Sequence, residues 1–147
     1  GHGERGMKFF LDECMNAKVD DPLKAWLKND EFLRSGPSIP RGLGDIELIK
    51  LLEKHGVEVV ITSDIKQMRS PDRAGERAQY KDSGIHWVGV PQSFVKGRAR
   101  PFVQAANLLS VIHYVKSQLD AAKMPLAIEL KRGFKVSDDP ISDTFPI

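Results

Sequence analysis

Short runs of apolar residues alternate along this chain with longer segments in which apolar side chains recur every three or four residues. The continuous runs are Lys8–Leu11, Val57–Thr62, Ile85–Val90 and Leu126–Leu130. Runs of this length, rich in β-branched and aromatic residues, are typical of buried strands. Because helical segments separate the runs, the order of elements indicates a mostly parallel sheet with helices on both faces.

Four segments between and after these runs are predicted to be helices, three of them from amphipathic spacing and the polar segment 70–83 from its start and stop signals. They are Pro22–Leu33, residues 45–55, Ser70–Ser83 and Pro101–Lys123. Pro22 suits the first turn of a helix, and Gly56 and Gly84 are stop signals directly after two of the segments. Residues 35–44 contain two prolines and three glycines, which predicts a loop.

These elements predict one α/β domain, a three-layer sandwich built on a mostly parallel sheet of four to five strands. We expect the domain to span residues 7–132, since a chain of 147 residues can bury one core of ordinary size. Residues 1–6 have the composition of a tag or a flexible extension. Residues 133–147 form a tail without periodicity, in which apolar side chains stand among acids and prolines.

Composition narrows the possible classes of protein. The net charge is only +2, so charge alone does not indicate a nucleic-acid binder. No apolar stretch approaches the roughly 20 residues of a membrane span, and no signal-peptide pattern is present, so we expect a cytoplasmic protein that does not insert in a membrane. The single cysteine, Cys14, excludes an internal disulfide and is expected to pack as a small apolar side chain.

Three aspartates stand where the ends of elements meet in a parallel sheet. Asp12 follows the apolar residues 9–11, Asp64 comes shortly after residues 59–62, and Asp45 opens a helical segment. Because the carboxyl ends of parallel strands face one crevice, we expect these acids to converge. Carboxylates held close together need a cation, and hard oxygen ligands favour Mg²⁺ or Mn²⁺, whose usual partner is a phosphate.

Each of these aspartates also has a purely structural explanation. Asp45 precedes an apolar helical run and is a plausible helix cap. Asp12 and Asp64 are suited to accept hydrogen bonds from loop amides. An acid at the end of a buried strand nevertheless loses solvation unless a cation or several donors face it, which favours the metal for these two residues.

The acidic motifs resemble those of the PIN and PIN-like nuclease superfamily over about residues 7–68. In that family an Asp ends the first strand, a second acid begins a later helix, and a Thr-x-Asp ends the next strand. The corresponding residues here are Asp12, Asp45 and Thr62-Ser63-Asp64. The resemblance implies that the three aspartates hold the divalent metal and that the protein is an endoribonuclease. Many such proteins are toxins that a partner protein, the antitoxin, neutralises.

The residues around Asp12 also resemble a smaller group within the superfamily. Small bacterial PIN-like proteins open with Asp-Glu-Asn, and this chain has Asp12-Glu13 followed by Asn16. It departs from that group in having Cys14 where those proteins place the asparagine. The resemblance implies a toxin-type ribonuclease of this smaller group.

The position two residues after Asp64 departs from the family pattern, because many relatives have a fourth acid there and this chain has Lys66. Either Glu13 or Glu47 supplies the missing oxygen, or one metal ion suffices. We assign Glu13 as an auxiliary ligand or as the group that orients a water, and Thr62 as a hydrogen-bond partner of a carboxylate. A metal in such a site polarises a phosphodiester oxygen and lowers the pKa of a bound water.

Basic residues suggest a path for the RNA. Two groups flank the acids or the long helix, namely Lys66, Arg69 and Arg73 after Asp64, and Lys96, Arg98 and Arg100 in the stretch 94–101. Basic side chains bind phosphates and counter the repulsion between RNA and an acidic site. We predict RNA contacts for Lys66, Arg69, Lys96, Arg98 and Arg100, the alternative being solvated loops.

Two other functions are compatible with the same residues. A receiver domain also has an acidic pair after its first strand, here Asp12-Glu13, with Asp64 as phosphoacceptor and Lys131 at a later strand end. It needs a strand between the first two helices, where residues 35–44 read as a loop. The other alternative is a catalytically silent PIN-like module for protein interaction. Possible partners are therefore RNA, an antitoxin protein and a second copy of this chain.

Overall fold

The computed structural model describes residues 5–36, 38–92, 94–95, 98–99, 101–132 and 142–146, with backbone alone at 94–95 and 98–99. The strands are β1 (Lys8–Leu11), β2 (Glu31–Leu33), β3 (Val59–Thr62), β4 (His86–Gly89), β5 (Phe94–Val95), β6 (Arg98–Ala99) and β7 (Ala127–Glu129). The helices are α1 (Asp20–Trp26), α2 (Asp45–Lys54), α3 (Lys66–Arg69), α4 (Ala74–Ser83) and α5 (Pro101–Ala121). Single 3₁₀ turns at Ala17–Val19 and Pro71–Arg73 precede α1 and α4.

Five strands form one sheet in the order β2-β1-β3-β4-β7, and every neighbouring pair is parallel. The predicted α/β class and parallel sheet are therefore confirmed. Strands β1 and β3 are neighbours near the middle of the sheet, with Phe9 opposite Val59 and Leu11 opposite Ile61. Since the two strands are in register, they end side by side.

Two apolar cores lie on the opposite faces of this sheet. Leu11 and Ile61 belong to the core shared with α1 and α5, whereas Phe10 and Val60 belong to the core shared with α2 and α4. The alternation follows from the pleat, which turns successive side chains to opposite faces. Helices on both faces are thus confirmed, and the central strands are covered on both sides.

The prediction of one helix over Pro22–Leu33 is wrong. Helix α1 ends at Trp26, and residues 31–33 form the edge strand β2 beside β1. The ring of Phe32 stacks on that of Phe9, with the ring centroids 5.1 Å apart. Pairing of residues 31–33 with β1 covers an otherwise open strand edge. This pairing favours a strand at these residues, although their apolar spacing is helical. Trp26 consequently lies outside the core, 77% exposed.

The later elements lie close to their predicted positions, and α3, β5 and β6 are additions to the prediction. Helix α4 occupies most of the predicted segment Ser70–Ser83 and ends at Gly84, whose φ of 69° is left-handed as in a glycine helix stop. The short helix α3 lies directly after β3 and has no counterpart in the prediction. Strands β5 and β6 pair antiparallel outside the main sheet. Among the helices described, none has both the length and the apolar character to cross a bilayer.

A buried ion pair ties the long helix to the edge of the sheet. The Lys116 ammonium donates to Asp30 Oδ2 at 2.7 Å, and the two side chains are only 6% and 1% exposed. The other carboxylate oxygen, Asp30 Oδ1, accepts from the Met7 amide at 2.7 Å. Asp30 thus joins α5 to the residues that begin β1 and β2.

We predict that Lys116→Met destabilises the fold by about 3–5 kcal/mol, because it leaves the Asp30 carboxylate buried without its counter-charge. Urea unfolding at neutral pH measures the loss. Lys123→Met, which alters an exposed lysine just beyond the same helix, is the matched control and should change stability little. Asp30→Asn combined with Lys116→Met should lose less than the sum of the single losses. Additive losses would show that the pair contributes nothing.

Candidate functional site

Asp12 and Asp64 are joined through the hydroxyl of Thr62 at the carboxyl ends of β1 and β3. The Asp12 amide donates to Ile61 O at 3.0 Å, which continues the pairing of the two strands. The fully buried Thr62 donates from Oγ1 to Asp12 Oδ2 at 2.8 Å and accepts from the Asp64 amide at 3.0 Å. The hydroxyl therefore fixes the Asp12 carboxylate and the turn that carries Asp64.

The residues after Asp12 turn outward into the same edge. The Glu13 amide donates to Asp12 Oδ1 at 2.8 Å, and the Glu13 side chain is exposed. The expectation that Cys14 packs as a small apolar side chain is wrong, because Cys14 is exposed. Its sulfur lies 3.1 Å from Thr62 Oγ1 and 3.4 Å from Asp12 Oδ2. The chain leaves the sheet at Asp12, which places the thiol beside the carboxylate.

Arg34, which the sequence did not single out, holds this loop in place. It follows β2, and its guanidinium donates to the carbonyl oxygens of Asp12, Met15 and Asn16 at 3.2, 2.8 and 3.1 Å. The same group contacts both carboxylate oxygens of Asp20. The missed strand β2 thereby delivers the residue that shapes the loop after β1.

Asp45 lies across a small cleft from Asp12. The cleft is lined by Asp12, Glu13, Ser35, Pro40, Gly42, Leu43, Asp45 and Leu48. Gly44 is the N-cap of α2, so Asp45 is the first helical residue and does not have the cap position that its structural explanation gave it. Its side chain is 55% exposed. The structure thus brings two of the three predicted aspartates, together with Glu13, to one cleft.

A single arginine connects Asp45 to Asp64. The Nη2 atom of Arg73 lies 2.9 Å from Asp64 Oδ2 and 3.6 Å from Asp45 Oδ2. Arg73 also forms a two-point contact with Glu76, through Nε to Oε2 and through Nη2 to Oε1. The sequence placed Arg73 at the rim of the crevice and missed Glu76. Their approach depends on the turn between α3 and α4, which no motif announced.

Glu76 is anchored by a buried network of polar side chains. The Gln67 amide donates to Glu76 Oε1 at 3.2 Å. The carbonyl oxygen of that amide accepts from the Tyr80 hydroxyl at 3.2 Å and from the Trp87 indole nitrogen at 3.0 Å. Trp87 belongs to β4. The contacts of Arg73 with Glu76, of Glu76 with Gln67 and of Gln67 with Trp87 therefore fix the position of Arg73 relative to the sheet.

The charges at this edge perturb one another. Partial burial raises the pKa of Asp45 above its ordinary value, and the neighbouring carboxylate of Glu76 raises it further, against the opposing charge of Arg73. Hydrogen bonds from Arg73 hold the pKa of Glu76 below its ordinary value despite burial. The acids compete for one positive charge, which Glu76 holds more firmly than Asp45 does.

The three predicted metal ligands share this edge without forming a closed ligand set. Within the described part of the chain, no group of three or more His, Cys, Asp and Glu side chains lies together in a way that could hold one ion. The oxygens of Asp12, Asp45 and Asp64 are the hard donors that Mg²⁺ and Mn²⁺ take. The donor chemistry therefore fits such an ion, while Arg73 supplies the positive charge between Asp45 and Asp64.

The predicted RNA-binding residues are described only in part. Lys66 opens α3 and is exposed. Arg69 lies on the same helix, 71% exposed, with its Nε 3.1 Å from Glu129 Oε1. Lys96 and Arg100 fall outside the described residues, as does the side chain of Arg98.

Replacing Glu76 by Gln should destabilise the protein by about 1–3 kcal/mol at neutral pH, because a buried charged partner of Arg73 is lost. The folded protein lowers the pKa of Glu76. Its stabilising effect is therefore present above the ordinary glutamate pKa and is lost as the pH falls through the lowered value. Urea unfolding from about pH 7 to about pH 3 should show the two proteins converging.

The matched control for that titration is Glu53→Gln, which alters an exposed glutamate on α2. Its stability should follow that of the wild-type protein throughout. A difference between Glu76→Gln and wild type that stays constant with pH would contradict the assignment of the effect to the charge of Glu76.

Comparisons of this chain with protein-family models, with curated proteins and with solved structures give no match. A function for the carboxyl edge of the sheet must therefore be inferred from the side chains found there. The contacts that bear on it run from Asp12 through Thr62 to Asp64, and from Asp64 through Arg73 to Asp45.

Proposed function

We propose that this chain is a PIN-like endoribonuclease that depends on a divalent metal. One observation carries the proposal: a continuous line of hydrogen bonds and ion pairs, one of them through the backbone amide of Asp64, joins the three acids that the family motifs mark. Thr62 contacts Asp12 and the Asp64 amide, and Arg73 contacts both Asp64 and Asp45. Acids gathered at the carboxyl edge of a parallel sheet occupy the usual place for a ligand site in such folds.

The residues divide into those that would hold the ion and those that position them. The carboxylates of Asp12, Asp45 and Asp64 would hold Mg²⁺ or Mn²⁺, which when bound supplies polarisation of a phosphodiester oxygen and a more acidic water. Thr62 keeps the Asp12 carboxylate oriented by its hydrogen bond. Glu13, exposed in the cleft beside Asp12, is the group that orients the attacking water or receives its proton.

The biological setting follows from the resemblance alone. A toxin-type ribonuclease of this superfamily acts in the cytoplasm and is neutralised by an antitoxin, so we extend the proposal to a toxin with such a partner. The proposal leaves open a complex with a second copy of the chain. Lys66 and Arg69 would contact the RNA, together with the basic residues of the stretch 94–101.

A receiver-like phosphoacceptor is the second candidate, and the sheet favours it more than the sequence did. When only the five strands of the main sheet are numbered in chain order, so that β7 is the fifth, their spatial order is 2-1-3-4-5, which is that of receiver domains. Strand β2 supplies the strand between the first two helices that residues 35–44 were expected to lack. Against it, the Asp64 carboxylate is paired with Arg73, and Lys131 lies exposed beyond the end of β7.

We predict that the protein cleaves a mixed RNA pool with Mn²⁺ or Mg²⁺ and that EDTA stops the reaction. Asp12→Asn and Asp64→Asn should each reduce the cleavage rate about 100-fold or more, because each removes a charged ligand oxygen at the site. Gel electrophoresis of end-labelled RNA measures the rate. Asp82→Asn, which alters an exposed acid on α4, is the matched control and should retain activity.

The same preparations separate the alternatives. RNA that stays intact with the wild-type protein while acetyl phosphate labels Asp64 would establish the receiver. If the RNA stays intact and Asp64 is not labelled, the remaining function is that of a catalytically silent module for protein interaction. Cleavage that persists in both aspartate variants would place the activity elsewhere and contradict the site.

Lys66→Gln should weaken binding of single-stranded RNA several-fold and reduce the slope of log affinity against log salt by about 0.7, as expected for one lost phosphate contact. Filter binding in EDTA at several salt concentrations measures both quantities without cleavage. Lys54→Gln is the control, because Lys54 is exposed at the far end of α2, about 13.5 Å along the helix from Asp45. Equal effects of the two substitutions would indicate unspecific attraction.

A further inference from the structure

The guanidinium of Arg73 stands among carboxylates that belong to three separate elements. Asp45 opens α2, Asp64 follows β3, and Glu76 lies in the first turn of α4. Arg73 contacts all of them, at 3.6 Å for Asp45, 2.9 Å for Asp64 and 2.7 Å from Nη2 to Glu76 Oε1. A positive charge from the chain itself therefore sits between two of the acids assigned above to the metal.

The two sides of Arg73 differ in how firmly they are held. The Glu76 side chain is 10% exposed, meets Arg73 at two points and is fixed by Gln67. Asp64 and Asp45 are 34% and 55% exposed, and only Nη2 reaches them. A paired, charge-assisted contact in a buried setting is stronger than a single contact near solvent. Arg73 can therefore release the aspartates while keeping Glu76.

A divalent cation bound by Asp45 and Asp64 would be a like charge within a few ångströms of Nη2. An arginine side chain does not lose its proton in proteins, so neutralisation cannot relieve this repulsion. A cation held by Asp45 Oδ2 and Asp64 Oδ2 would compete with Arg73 Nη2 for the same oxygen atoms.

We propose that Arg73 is an exchangeable internal counter-ion. It neutralises Asp45 and Asp64 in the metal-free protein, yields them to a divalent cation, and so sets the metal affinity of the site, while Glu76 acts as its tether. This inference deepens the proposed function and rests on it in taking Asp45 and Asp64 as cation-binding residues. Arg73 and Glu76 are positioning residues in this account.

Titration of the metal-free protein with Mn²⁺, followed by the electron paramagnetic resonance signal of the free ion, tests the competition without any cleavage assay. Arg73→Gln should bind Mn²⁺ about tenfold more tightly than wild type, because one opposing charge is removed. Arg73→Lys retains the charge and should remain close to wild type.

Arg5→Gln is the matched control for the loss of an arginine that joins two carboxylates. Arg5 contacts Glu58 and Asp120 at 2.6 and 3.1 Å, at the edge of the sheet where β1 begins. The substitution changes the net charge by the same amount as Arg73→Gln. It should leave Mn²⁺ affinity unchanged, and a gain equal to that of Arg73→Gln would overturn the proposal.

Glu76→Gln gives a second measurement with the opposite sign. Without the Glu76 charge, Arg73 remains on Asp64 and Asp45, so Mn²⁺ should bind several-fold more weakly than to wild type. A purely structural role of the pair predicts that both substitutions weaken binding. Circular dichroism and cooperative unfolding establish that each variant is folded. If Arg73→Gln does not fold, the guanidinium NMR signals of Arg73 in the wild-type protein decide: they should shift on addition of Mg²⁺, and unchanged signals would overturn the proposal.

Failure of this inference is distinct from failure of the proposed function. Metal-dependent RNA cleavage by wild type, with Mn²⁺ affinity unchanged or weakened in Arg73→Gln, would overturn the counter-ion alone. Tighter Mn²⁺ binding by Arg73→Gln in a protein that leaves RNA intact would support the counter-ion and reject the nuclease.

Discussion

The parallel pairing of β1 with β3 is the constraint on which the candidate site depends. Both strands are covered on two faces by apolar helices, and opposite residues such as Leu11 and Ile61 keep them in register. A shift of one residue would turn every buried side chain to the wrong core. The register therefore fixes where the strands end, and with it the contact between Asp12 and Thr62.

The carboxylates at that edge repel one another, and the positive charge of Arg73 offsets this repulsion. Arg73 joins Asp64 to Asp45, and its own place is determined by Glu76, which the amide of Gln67 ties to the core. Carboxylates that are partly removed from water need such a partner. The buried amide of Gln67 thus holds Glu76, and through it Arg73, in contact with the acids at the edge of the sheet.

The sequence predicted the parts of the fold that rest on long patterns. Continuous apolar runs located β1 and β3, and the topology of parallel sheets then placed Asp12 and Asp64 on one edge. Strand β2 escaped because its three residues continue the helical spacing of α1, and only pairing with β1 distinguishes the two structures. The sequence placed Arg73 only among the basic residues that flank the acids. Its contacts with those acids, and Glu76 itself, could not be predicted because they depend on a turn between helices, a tertiary feature without a local motif.

The central proposal is that the carboxyl edge of the sheet binds a divalent metal through Asp12, Asp45 and Asp64. Anomalous diffraction from crystals soaked in Mn²⁺ tests it most directly, since the signal identifies the ion and its ligands together. The account predicts a peak in contact with carboxylate oxygens of at least two of Asp12, Asp45 and Asp64, with Arg73 withdrawn from Asp64. Crystals without a peak at this edge, or with a peak elsewhere on the protein alone, would contradict it.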